Sequence, residues 1–537
     1  MTSITADSKK TFESIKKFHD TLIHMYGTTQ SIILQNTRGD ITRNISTSLD
    51  LFTYLQPKCE ELRLMLVYLK SQAELNKDGG LYTALLSSNL MLKLHSEDIP
   101  HAVVMATMDF LLSKVTQFVN NLEAKINICR MTDVFLIIRP IVTSKVTLKR
   151  DELQHISLLF AKIFAKSLNP SSDVQVILNE SSNIMCSSIY DGVLLPLERY
   201  VDKTSLPVGI GVILITVSIA LDSEEFLTNP GSNVIIESTD DFKSNIMQTL
   251  MKFCDQIIPH IGVVICQKVV HPQLKRHFKL HNVLCIDRVG SRLVPNLEQV
   301  LNCKGISSLS ITNPENYVGR LENGEFLKIN KRHFLKISCS KINYLNSLLL
   351  CGKNEEFLET LKFCYYACMT SLKSLVTNPG VVYGAGCTET MIAMYLRNLL
   401  CTEDELKSVD VSSYMLTNLT YVVVHSFLRV ASAVTTDSYY THSIDVQTNH
   451  HWINNETSER CCCGLIEKNN QEFILFTELL LQAGTPHERI DLSHVPSFST
   501  ITNSPLVHSK EIYLSNTAAA FQLASTISRI GVKIISS

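Results

Sequence analysis

The sequence predicts a multidomain α/β protein whose helical ends flank a mixed α/β centre. Three observations point there. The chain has 537 residues, beyond the roughly 250–300 at which one hydrophobic core stops growing, so about three domains are expected. Apolar residues recur every three or four positions near both ends, the period of a helix. From about Val208 the texture turns to β-branched runs alternating with helical stretches, as in a compact α/β unit.

Taken in order, Phe12, Ile15, Phe18, Leu22 and Met25 line one face of a helix over 11–25. Stretches 81–94, 100–119 and 151–168 keep that period. The near-apolar run 208–221 lies between Pro207 and Asp222 and is rich in Val, Ile and Thr, which suits a buried strand. It falls short of the roughly 20 residues of a membrane helix, so no membrane insertion is expected. A strand over 263–266, a helix over 271–280, a strand over 283–286 and a helix over 294–301 follow, and the strand 347–352 closes the centre. Beyond it Phe357, Leu361, Cys364, Cys368 and Leu372 form one stripe, read as core packing rather than a cofactor box. The last helix, 513–530, carries Ala518-Ala519-Ala520 and Ala524, small residues that permit close helix packing. Helical ends around an α/β middle imply an insertion: both termini build one domain and the middle another.

Composition narrows the function. Hydrophobic residues make up 45% and charged residues 19% of the chain, which excludes intrinsic disorder. The 49 basic and 51 acidic residues give a net charge of −2. No bulk field favours nucleic acid. Met1 to Lys10 is polar and lacks a secretory pattern, so a cytoplasmic protein is expected. The 16 cysteines show no disulfide-framework spacing, and Cys254, Cys266, Cys285, Cys364 and Cys368 sit in apolar runs as reduced core residues. Cys461-Cys462-Cys463 with His450 and His451 is the one metal-like cluster. Adjacent cysteines cannot all face one ion as a two-residue spacer allows, so no metal is expected. His277 and His281 read as a solvated pair, and Cys266 with His271 as packing.

Three glycine turns beside helices are the credible small-molecule signals. They are Tyr26-Gly27-Thr28-Thr29-Gln30, Lys77-Asp78-Gly79-Gly80, and 381–389, VVYGAGCTE. Glycine permits positive φ and close backbone approach, and a helix N-terminus offers free N–H groups to phosphate. Asp78 could hold Mg²⁺ beside it. Each turn alone is weak, and there is no GxxxxGK[ST] loop, GxGxxG after a strand, GxSxG elbow or HExxH helix.

Together the turns resemble those of one family. VVYGAGCTE is similar to the VVPGGGATE turn of group II chaperonins. KDGGLYTALLSSNLM at 77–91 resembles their GDGTTTAVVLAGELL phosphate segment. VVICQK at 263–268 with HNVLCIDRVGSRLVPNLEQV at 281–300 resembles their apical core, and ISRIG at 527–531 their closing ILRID helix. The likeness spans nearly the whole chain and is strongest to the McKusick–Kaufman and Bardet–Biedl chaperonin-like branch, on CQKVVHP and GCTET. It implies a group II chaperonin fold. The equatorial domain would comprise 1–138 and 384–537, the intermediate domain 139–189 and 353–383, and the apical domain 190–352. It also implies a nucleotide pocket at Gly27, Asp78, Gly79, Gly384 and Gly386.

The departures from the family pattern govern the expected mechanism. Active group II chaperonins hydrolyse ATP with a GPxG loop, the Asp of GDGTT and a second Asp on the intermediate helix. Here the loop ends in Gln30, and Gly80, Leu81 and Tyr82 replace the threonines. The second Asp falls at Ala367, the middle glycine of the late turn is Ala385, and Arg43-Asn44-Ile45 replaces an Asn-Asp-Gly stretch. Each lost charge-assisted contact is worth about 1.5–3 kcal/mol, so no catalytic residue and no working ATPase are expected. The pocket reads as vestigial and no cofactor is expected, ATP with Mg²⁺ being the one candidate. The resemblance implies a non-hydrolysing assembly factor at the centrosome and ciliary basal body. Its partners would be other Bardet–Biedl chaperonin-like proteins, the cytosolic chaperonin and the BBSome subunits it helps assemble. The alternatives are an active ATP-driven chaperonin subunit and a metabolic enzyme with an α/β catalytic domain.

Overall fold

The structure, a computed structural model, describes residues 3–5, 8–27, 32–35, 42–97, 99–122, 124–168, 173–180, 183–197, 205–220, 239–309, 313–329, 332–340, 344–400, 411–434, 442–453, 461–466, 472–482, 506–528 and 533–535. The chain divides into two compact units. One joins Met1–Ala161 to Glu359–Ser537, and the other is the continuous stretch Lys162–Leu358.

Helices of the first unit include α1 (Ser8–Met25), α2 (Gly80–Ser96), α3 (His101–Asn121), α4 (Met131–Thr143), α5 (Glu355–Thr377, which enters this unit at Glu359), α6 (Cys387–Leu399), α7 (Ser413–Ser432) and α8 (Lys510–Ser528). α2 is buried almost all round, from Tyr82 through Met91. That identifies a central core helix; α1, α7 and α8 pack on it. Of the small residues read from the sequence on α8, Ala519, Ala520 and Ala524 are buried. The stripe on α5 is interior, with Leu361, Cys364, Cys368 and Leu372 fully buried. α3 is long and apolar enough to cross a membrane by length and composition. Here it packs against α6, α7 and α8.

Short strands tie the ends of these helices together. β1 (Val381–Tyr383) pairs antiparallel with β5 (Val507–Ser509). A three-stranded antiparallel sheet has β2 (His442–Asp445) at its centre, between β3 (His451–Ile453) and β4 (Phe473–Leu475). Its anchor is Trp452, buried and edge-to-face on Phe473.

The second unit is α/β. Strand Gly211–Ile215 lies parallel to Val263–Cys266, which lies parallel to Leu284–Ile286. Gly319–Arg320 adds an antiparallel edge. Helices Thr239–Ile257 and Pro272–Leu280 cover one face through Leu250, Phe253, Leu274 and Phe278, and helix Val294–Leu301 packs against the other. The run 208–221 is not one buried strand. Val208 and Gly209 form an exposed turn and pairing begins at Gly211, because Gly209 takes a positive φ that a strand cannot continue. Two further sheets complete the unit. Asn323–Ile329, Arg332–Ser338 and Val193–Leu197 form one, and Leu345–Gly352 runs between Asp173–Glu180 and Ser188–Asp191 in the other.

Candidate functional site

The three glycine turns, far apart in sequence, line one cavity of about 390 Å³ in the first unit. Gly27 follows α1, Asp78 and Gly79 precede α2, and Gly384 and Gly386 precede α6. All five residues expected to line a pocket therefore do so. The geometry at two glycines is specific. Gly79 has φ +74°, and a Cβ there would collide with Asn516 Nδ2. Gly386 has φ +86°, and a Cβ would stand 2.7 Å from His451 Cε1 and 2.9 Å from Ala431 Cα. Ala385, between Gly384 and Gly386, is also left-handed, at φ +56°, a conformation that costs a residue with a Cβ about 1–2 kcal/mol.

The cavity already contains its own cation. Lys145 Nζ lies 3.4 Å from Asp78 Oδ1, with the two side chains 15% and 20% exposed. Burial pushes the Asp78 carboxyl up, but Lys145, His508 and the Gly79 N–H together hold it below the usual carboxylate range. Burial pulls Lys145 down, and Asp78 more than restores it. His508, on β5, is held below its ordinary value, chiefly by burial. Asn516 of α8 donates to the Asp78 carbonyl at 3.2 Å and accepts from Asn76 at 2.8 Å, fixing the turn from behind.

Aromatic rings form part of the cavity wall. Tyr82 is buried, its hydroxyl 3.0 Å from Thr517 Oγ1, and its ring sits 5.2 Å from that of Tyr513. Burial raises both phenols, so they stay neutral. Burial also pushes the lining Glu389 carboxyl up to about 7. Ala367 is fully buried in α5 and does not line the cavity; Ser371, one turn on, does. Gln30 lies outside the described residues, as do the side chains of Arg43 and Asn44.

Sequence reasoning missed Lys145, His508, Tyr513 and Asn516. Their local signals were slight. The best was Lys145, a cation just past the apolar end of α4 and its C-cap, Ser144. His271 caps the helix Pro272–Leu280, accepting from Gln273 N at 3.3 Å ahead of a proline at the first helical position. His277 is bonded to Asp255 at 2.7 Å and edge-on to His281, so the pair is not simply solvated.

The cysteine triplet also departs from expectation. Adjacency was the reason to set it aside, and the fold removes that reason. Cys462 turns outward while Cys461 and Cys463 turn inward and are buried. They meet Cys387 from the first turn of α6 and His450 from the turn between β2 and β3. Among the described residues all cysteines are free thiols.

A family model described as the TCP-1/cpn60 chaperonin family matches residues 53–415. The chain is 26% identical over 479 residues to the molecular chaperone MKKS of Mus musculus, covering 83% of this chain and 82% of that protein. It is 25% identical over 497 residues to the molecular chaperone MKKS of Homo sapiens, covering 85% of each. A thermosome subunit alpha of Sulfurisphaera tokodaii is 28% identical over 136 residues, 25% of this chain and 24% of that protein.

Proposed function

Since the chain belongs to the TCP-1/cpn60 chaperonin family, we propose that it is a chaperonin-like chaperone that works by contact with its clients and does not hydrolyse ATP. The likeness to group II chaperonins read from the sequence is borne out by the family match and by the identity to MKKS over most of the chain. The observation that carries the non-hydrolysing reading is that the Asp78 carboxylate in the cavity is already paired. Lys145 is ion-paired to Asp78 where a hydrated cation would need that carboxylate, and Tyr82 takes space beside it. Phosphoryl transfer depends almost wholly on metal-assisted charge neutralisation and a positioned water. Ala367 has no group to orient one, and the nearby Ser371 is a weak base.

In this reading 1–138 and 384–537 act as the equatorial part, 139–189 and 353–383 as the intermediate part, and 190–352 as the client-binding apical part. Apolar side chains left in water there, notably Val208, Val269 and Leu280, suit contact with unfolded chain. The narrower reading has cytoplasmic and basal-body work, partnership with other Bardet–Biedl chaperonin-like proteins and the cytosolic chaperonin, and BBSome subunits as clients. It rests on the sequence likeness alone, and affinity capture with mass spectrometry from ciliated cells tests it.

The direct test pairs two assays on the purified full chain. Phosphate release from Mg²⁺–ATP should match the blank, while aggregation of a chemically unfolded client should be suppressed equally with and without nucleotide. Val208→Asp with Leu280→Asp should weaken that suppression. ATP turnover that disappears in Asp78→Ala would overturn the reading.

A further inference from the structure

Beside the cavity, but outside its lining, three thiols and an imidazole converge in a closed interior cluster. The sulfurs of Cys387, Cys461 and Cys463 and the ring nitrogen of His450 lie within 4.8 Å of one another. His450 Nδ1 is 3.3 Å from Cys387 Sγ, 3.2 Å from Cys461 Sγ and 3.1 Å from Cys463 Sγ. Cys461 Sγ stands 3.4 Å from both other sulfurs. Every one of the four residues is 3% exposed or less. Nε2 of His450 meets no hydrogen-bond partner among the described residues, so the ring's polar contacts are with sulfur.

We propose that Cys387, His450, Cys461 and Cys463 form a structural zinc site that fastens the sheet of β2, β3 and β4 to the glycine turn ahead of α6. Zinc takes Cys₃His sets tetrahedrally, with bonds of about 2.3 Å to sulfur and about 2.0 Å to nitrogen, which puts ligand atoms about 3.5–3.8 Å apart. The observed separations of 3.1 to 3.4 Å lie within a few tenths of an ångström of these. Thiolate-rich sets select soft or borderline ions over Mg²⁺ or Ca²⁺. Four buried protein ligands leave no open position for a reacting water, which makes the site structural rather than catalytic.

The backbone explains how neighbours in sequence reach one point. Asp445 closes a turn by accepting from Gln447 N at 2.9 Å and Thr448 Oγ1 at 2.7 Å. Asn449 follows at φ +58°, and this bend aims His450 inward. Cys461 starts a tight turn in which Gly464 N donates to the Cys461 carbonyl at 2.8 Å. That turn puts Cys461 and Cys463 on one side and Cys462 on the other. Cys387 is the first residue of α6, where the helix dipole favours a thiolate. Leu506 links the two sites: its N–H donates to the Cys463 carbonyl at 2.8 Å, and its carbonyl accepts from Gly384 N at 2.8 Å.

The site is tested on the full chain, purified under reducing conditions without chelator, by elemental analysis. Equimolar zinc is expected in the wild type and in Cys462→Ser. At least a tenfold drop is expected in Cys387→Ser and in Cys463→Ser. Because those variants could fail to fold, the wild type is also stripped and titrated with Co²⁺. Thiolate-to-cobalt charge-transfer and tetrahedral d–d bands should saturate at equimolar cobalt and vanish on adding Zn²⁺. Three results would overturn the proposal: metal-free protein that develops no cobalt spectrum, a Cys387–Cys461 disulfide in freshly purified protein, or equal metal loss in Cys462→Ser and Cys463→Ser.

Discussion

Lys145 Nζ sits 3.4 Å from Asp78 Oδ1 across the mouth of α2. The pair joins the C-terminal end of α4 to the turn that starts the central helix of its unit. Removing one member strands the other. Lys145→Met should cost about 2–3 kcal/mol, below the fully buried figure because both groups keep some water. The double variant with Asp78→Asn should cost less than the sum of the singles. Denaturant midpoints of the four proteins check this. The pH signs follow from the shifts. Asp78 is depressed in the fold, so its contribution is present above about pH 4 and lost as pH falls through the lower folded value. Lys145 is raised, so its contribution is present below about pH 10 and lost as pH rises through the higher folded value.

The two residues of the late turn should respond in opposite senses. Gly386→Ala places a Cβ against Ala431 Cα and His451 at a left-handed φ. It should destabilise by about 1–3 kcal/mol. Ala385→Gly relieves the strain at φ +56° and should be neutral to stabilising by up to about 1 kcal/mol once glycine's extra chain entropy is counted. Thermal midpoints measured side by side decide it, and a stabilising Gly386→Ala would contradict this geometry.

His19 should make the fold acid-sensitive. Its ring is buried on α1, 2.9 Å from Ser88 Oγ of α2, and burial lowers its pKa from 6.5 to about 4. Below pH 6.5 the unfolded chain takes up a proton that the folded chain refuses. Stability therefore falls by about 3 kcal/mol between the two values and levels off below the lower one. His19→Gln should remove that part of the slope when unfolding is followed from pH 7 to 4.

Asn516 holds the Asp78 turn through its bonds to the Asp78 carbonyl and to Asn76. Asn516→Ala takes away the Asp78 carbonyl's side-chain donor and leaves Asn76 Nδ2 its 3.2 Å bond to Ser515 Oγ, and about 2 kcal/mol of stability should be lost. Hydrogen exchange at Gly79 to Thr83 should accelerate while that of the 263–266 strand stays unchanged, since the strand belongs to the other unit. Uniform acceleration across both units would argue against a local role.

What the sequence determined by itself is whatever neighbouring residues decide. The strand Val263–Cys266 and the helix Val294–Leu301 match their predicted bounds, because side-chain periodicity and β-branching act over a few positions. Glycines before α2 and α6 were legible as backbone turns for the same reason. Where local signals misled, a single residue was often at fault, as with Gly209, whose positive φ delays to Gly211 the start of what read as one strand from 208. The meeting of Gly27, Asp78 and Gly384 around one cavity was legible through family resemblance, not through local pattern; only the tertiary structure supplied Lys145 to Asp78 and set Cys387 against Cys461 from 74 positions away. Such meetings depend on how buried faces of distant helices pack, and packing is a property of the whole core that no stretch of sequence carries alone.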